Sequence, residues 1–109
     1  MSQRTQLTQH ACERGRERFR LKPASVQRMA ALALEKGIRT DDTAGELHRY
    51  LFGKRAAHPG TSLRIYGEIV FVFGVRDVLV TFWPLPCEFK KCAAKIRAAM
   101  RTAQEATGE

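Results

Sequence analysis

The apolar positions of this chain change their period along its length, and each change marks an element. Val26, Met29, Ala30, Ala33 and Leu34 fall at i, i+3, i+4, i+7 and i+8, the stripe of an amphipathic helix. Pro23 suits the first turn of that helix, and Gly37, following Lys36, suits its C-terminal cap. The segment before it, Leu7–Arg20, has helix-forming composition but little that could face a core, and Gly15 in its middle costs about 1 kcal/mol relative to alanine. In TDDTAGELHRYLFGKR, Asp41, Asp42 and Thr43 are N-cap candidates, and Leu47, Tyr50 and Leu51 share a helical face. Gly53 is expected to close this helix, and the stretch from Lys54 to Gly60 then reads as an exposed basic loop.

From Ser62 the pattern becomes that of strands. SLRIYG, EIVFVF and VLVTFW are short runs rich in β-branched and aromatic residues, divided by Gly67 and by the turn-like GVRD. The last two runs pair most simply as an antiparallel hairpin. Strict alternation puts Val78, Val80 and Phe82 on one face and Leu79, Thr81 and Trp83 on the other, both largely apolar. PLP ends the sheet, because proline cannot extend a ladder. Phe89, Cys92, Ala93, Ile96, Ala99, Met100 and Ala103 then mark a long amphipathic helix, and EATGE reads as a frayed tail. The expectation is an α+β domain spanning residues 1–109, with N-terminal helices packed on a small antiparallel β-meander and a C-terminal helix after it. The helical part covers about 7–54, the sheet about 62–84 and the last helix about 87–104.

Charge adds a direction to this outline. The net charge of +8 favours a polyanionic partner, and residues 1–60 hold 12 of the 19 lysines and arginines. Three cysteines without an apolar leader segment fit a reducing cytoplasm, and no run of residues approaches a membrane span. Cys87 and Cys92 are spaced too widely for a zinc knuckle and lack a second ligand pair, so neither metal nor cofactor is expected.

The chemistry concentrates in the first helix. His10, Arg14 and Arg18 at i, i+4 and i+8 form one row. A histidine moves protons near neutrality and an arginine holds two phosphate oxygens, together a minimal kit for cleaving a phosphodiester without metal. Arg16 and Arg20 lie on the other side of that helix. The plainer reading is a solvated helix whose Glu13 and Glu17 pair with neighbouring arginines. His48 reads as structural and His58 as a loop residue. Trp83 reads as core with base stacking as the alternative, and Lys90, Lys91, Lys95, Arg97 and Arg101 as the wet side of the last helix.

HACERGRER followed by FRLKPASV resembles the signature of a small bacterial and phage domain family of uncharacterised function. Its opening helix has the form H-A-x-x-R-x-x-x-R, and its β-meander ends in a strand with a threonine before an aromatic or aliphatic residue. His10, Ala11, Arg14, Arg18, Val26 and Val80–Trp83 carry the likeness, which covers residues 7–36 and 62–84. The longer connection between Gly37 and Pro59 and the C-terminal helix depart from it. That family is grouped with the barnase, EndoU, colicin and RelE type of toxin ribonucleases, which cleave RNA without metal. The resemblance implies His10 as general acid or base, Arg14 and Arg18 as charge stabilisers and Thr81 as a hydrogen-bond donor from the sheet. Arg16, Arg20, Arg64, Lys54 and Arg55 are then the expected nucleic-acid contacts. The expected partners are nucleic acid, with RNA favoured, and an antitoxin-like protein. The alternatives are a non-catalytic basic module that binds nucleic acid, and a phage-type interaction protein that has kept the fold without the chemistry.

Overall fold

The computed structural model describes residues 6–107, with side chains through Ala103. The first helix, α1 (Gln9–Phe19), begins because Thr8 does two jobs. Its Oγ1 accepts from the N–H of Ala11 at 3.1 Å, and its own hydroxyl donates to the carbonyl of Val80 at 2.9 Å. The helix ends on a left-handed Arg20, with the N–H of Leu21 returning to the carbonyl of Gly15 at 2.9 Å. Gly15, costly by propensity, has a steric reason. A Cβ there would lie 2.7 Å from Val26 Cγ2 and 3.4 Å from Phe82 Cζ, where α1 presses on the second helix and on the sheet.

The other elements are α2 (Pro23–Lys36), β1 (Ile38–Arg39), α3 (Gly45–Ala57), β2 (Ser62–Tyr66), β3 (Ile69–Phe73), β4 (Leu79–Pro84) and α4 (Lys90–Thr107). The chain is α+β: the strands form one antiparallel sheet in the order β1-β2-β3-β4, and α4 follows the last of them. Gly67 and Glu68, both at positive φ, join β2 to β3 in the two-residue turn whose twist suits a hairpin.

All five residues of β3 are buried, so the sheet is covered on both sides. On one side Ile69, Phe71 and Phe73, with Leu79 and Phe82, pack under α1 and α2 through Ala11, Val26, Ala30 and Ala33. The Phe82 ring stacks on Phe71 at 5.8 Å and on Phe19 at 5.1 Å. On the other side Val70 and Val72, with Ile38, Leu63 and Ile65, pack under α3 and α4 through Leu47, Leu51 and Ala93. The run of β3, IVFVF, is therefore apolar throughout because helices lie on each face of the sheet.

Several expectations change. The helix α3 passes through Gly53 and ends at Ala57, so Lys54–Ala57 are helical rather than looped. Gly53 sits in open space, and the helix is held by buried Leu47 and Leu51 at its core side. Asp41 and Asp42 belong to a short 3-10 turn before α3, where Asp42 Oδ2 accepts from the N–H of Arg39 at 3.0 Å, and Ala44 holds the cap position. The strand β1, at two residues, is too short to carry a period. Finally, β4 contains a bulge: Val72 pairs with Thr81 and Phe73 with Leu79, leaving Val80 as the extra residue. Leu79 and Phe82 consequently share the α1/α2 face, while Thr81 and Trp83 lie on the α3/α4 face. The last helix runs to Thr107, and the remainder of the expected tail, Gly108 and Glu109, lies outside the described residues. No helix among the described residues is long and apolar enough to cross a membrane.

Candidate nucleic-acid interface

The row on α1 forms as its spacing requires. The Nε–H of Arg14 donates to His10 Nε2 at 3.2 Å, on the exposed side of the helix. Nε2 takes part in that contact as the acceptor, the same atom that a proton-transfer role would use. Arg16, Arg18 and Arg20 are exposed and Arg14 is half-buried. Neither Glu13 nor Glu17 forms an ion pair among the described residues, where the ion pair present joins Lys90 to Glu68 at 3.7 Å. Arg16 and Arg18 of α1 thus face solvent, and none of the α1 arginines has a carboxylate partner among the described residues.

The remaining expected site residues do not gather around this row. Thr81 is 8% exposed and, as the cross-strand partner of Val72, lies beneath α3 and α4, across the sheet from α1. Arg64 lies on β2, two strands away from β4, where it pairs in register with Arg39. Its Nη1 donates to the carbonyl of Leu34 at the end of α2, at 3.3 Å. Burial first, and the neighbouring Arg39 second, hold the Arg64 guanidinium below its ordinary pKa, against smaller opposing effects of Asp77 and Asp42.

Lys54 and Arg55 occupy the last turn of α3. The Lys54 ammonium sits over the Tyr50 ring at 5.6 Å and the Trp83 ring at 5.9 Å. Trp83 Nε1 donates to the Tyr50 hydroxyl at 2.9 Å, and His58 stacks on the indole at 6.2 Å. Trp83 is therefore a half-buried wall of a basic aromatic cluster. That cluster was not legible beforehand, because α3 was expected to stop at Gly53. His48 is taken up by structure: its Nδ1 reaches the carbonyl of Thr40 at 3.1 Å and Thr43 Oγ1 at 3.2 Å, tying α3 to the turn before it.

A third basic surface was missed altogether. A groove of about 1050 Å³ follows the outer edge of β1, between the end of α2 and α4. Its cations are Lys36, Arg39, Arg64, Lys90, Arg97 and Arg101, drawn from four separate elements. Glu35, Asp42 and Glu68 also line it, with Glu68 held by Lys90 and Asp42 by the backbone of Arg39. No local sequence signal gives this convergence, since Arg39 stands on a two-residue strand. Among the described residues no three His, Cys, Asp or Glu side chains are grouped so as to hold a metal ion. Compared with protein-family models, with curated proteins and with solved structures, the chain finds no match.

Proposed function

We propose that this chain binds nucleic acid, RNA in preference, with α1 as a contact helix. The observation that supports it most directly is the set of exposed arginines at 16, 18 and 20, with half-buried Arg14 beside them, all without a carboxylate partner among the described residues. On a strand of phosphates such side chains displace condensed counterions, and that release drives binding. Lys54 and Arg55 extend the basic surface beside an aromatic wall. The preference for RNA rests on the resemblance of the H-A-x-x-R-x-x-x-R helix to toxin-type ribonucleases.

The hydrogen bond from Arg14 to His10 supports a second reading, in which the bound RNA is cleaved. In that reaction a ribose 2′-hydroxyl gives its proton to His10 Nε2, which must first leave Arg14. The O2′–P bond forms, the P–O5′ bond breaks, and the proton passes from the imidazolium to the departing oxygen. Arg14, released from the ring, and Arg18 then face the developing phosphoryl charge.

Anisotropy of a labelled single-stranded RNA, titrated at several salt concentrations, tests the first reading. Wild type binds with affinity that falls with salt, and the Arg14→Gln/Arg18→Gln double variant loses about 0.7 from the log–log slope per lost contact. Absence of binding at low salt refutes it. Cleavage is read separately, as metal-independent release of ends bearing 2′,3′-cyclic phosphate that His10→Ala abolishes; intact RNA leaves binding alone.

A further inference from the structure

Arg39 and Arg64 stand directly opposite each other on β1 and β2. Directly opposed residues of an antiparallel pair have side chains on the same face with Cβ atoms about 5 Å apart, and like charges there oppose folding. Neither arginine has an ion-pair partner among the described residues. Asp77 and Asp42 favour the Arg64 charge, but by less than burial and Arg39 disfavour it, and neither forms an ion pair with it. Arg64 satisfies one donor on the Leu34 carbonyl, and its other donors have no partner among the described residues. Burial and Arg39 both disfavour its charge, so the pair is held together against its own electrostatics. Around it the groove adds Lys36 from one side and Arg97 and Arg101 from the other.

We propose that the groove along β1 is a binding site for a phosphate group, with Arg39 and Arg64 as the fork that grips its oxygens and with Lys36, Arg97 and Arg101 around it. A phosphate placed between the two guanidiniums turns the repulsion into two charge-assisted contacts, each arginine presenting paired N–H donors to paired oxygens. The site lies at the opposite edge of the sheet from α1 and stands without the RNA reading. The phosphate is either free, as inorganic phosphate or pyrophosphate, or part of an RNA strand, and the two sources separate by experiment.

The test uses the full chain and the variants Arg39→Gln and Arg64→Gln, with Lys36→Gln as a further replacement should Arg64→Gln fail to fold. Thermal unfolding is followed in phosphate, in pyrophosphate and in chloride at matched ionic strength, and RNA binding by anisotropy. Without ligand, relief of the repulsion raises the Tm of Arg39→Gln by about 2–4 °C. Phosphate or pyrophosphate raises the wild-type Tm above its value in chloride and leaves that of Arg39→Gln unchanged; this outcome supports the site with a free phosphate as ligand. Weakening of RNA binding by Arg39→Gln, without any phosphate effect on Tm, supports it with RNA as the source. If neither phosphate nor RNA distinguishes Arg39→Gln from wild type, the site is overturned, whatever substitutions on α1 do to RNA binding. A ligand-free Tm that falls on Arg39→Gln also overturns it, because the pair is then not repulsive.

Discussion

At the scale of single residues, the informative positions are those where composition and contact disagree. Gly15 weakens α1 by propensity, and alanine there would ordinarily strengthen it. The space for a methyl group is already filled by Val26 and Phe82. Gly15→Ala is therefore expected to lower stability by about 1–3 kcal/mol in urea unfolding, since overpacking outweighs the propensity gained. Propensity marked Gly15 as odd without giving the reason, which is the close approach of Val26 on the next helix, 11 positions away in the chain. Arg64 was legible as a cation, but its partner Arg39 was not.

At the scale of elements, the helices α1, α2 and α4 and the three longer strands followed from period and punctuation, while short or interrupted pieces did not. The bulge in β4 is the costliest miss. One extra residue at Val80 regroups Leu79 with Phe82, and no local feature of VLVTFW announces it. Thr81 lies on the opposite face from Phe82, and so across the sheet from α1, by alternation alone, with or without the bulge. Hairpin geometry supplies a cleaner forecast. Glu68 occupies a left-handed position of the β2–β3 turn, at φ 62°, which disfavours a side chain with a Cβ. Glu68→Gly should raise stability by about 0.5–1 kcal/mol, read as a higher urea midpoint at unchanged slope. The exposed pair with Lys90 that it removes contributes little.

At the scale of the molecule, cations of a chain with net charge +8 gather, among the described residues, on three surfaces: the outer side of α1, the end of α3 beside Trp83, and the groove along β1. Total charge was readable from composition, whereas its division among separate surfaces depends on how the sheet orders its strands. β2 and β4 are separated by β3, about 10 Å apart at ordinary strand spacing. Substitutions on α1 and at Arg64 should then act independently. In RNA binding, Arg18→Gln combined with Arg64→Gln is expected to cost the sum of the single effects to within about 0.5 kcal/mol. A larger departure would mean that one ligand segment bridges both.

The central strand carries a last consequence. A strand with one wet face is kept in register by polarity, because a slip of one residue drowns its apolar side chains. β3 has no wet face to lose, yet it alternates in size: Phe71 and Phe73 toward α1 and α2, Val70 and Val72 toward α3 and α4. A slip by one would force aromatic rings into space shaped for valines and leave voids where the rings had been. Overpacking on one side and cavities on the other each cost on the order of 1–5 kcal/mol. The alignment of this sheet is thus encoded in volume, by large and small side chains taking turns along five residues.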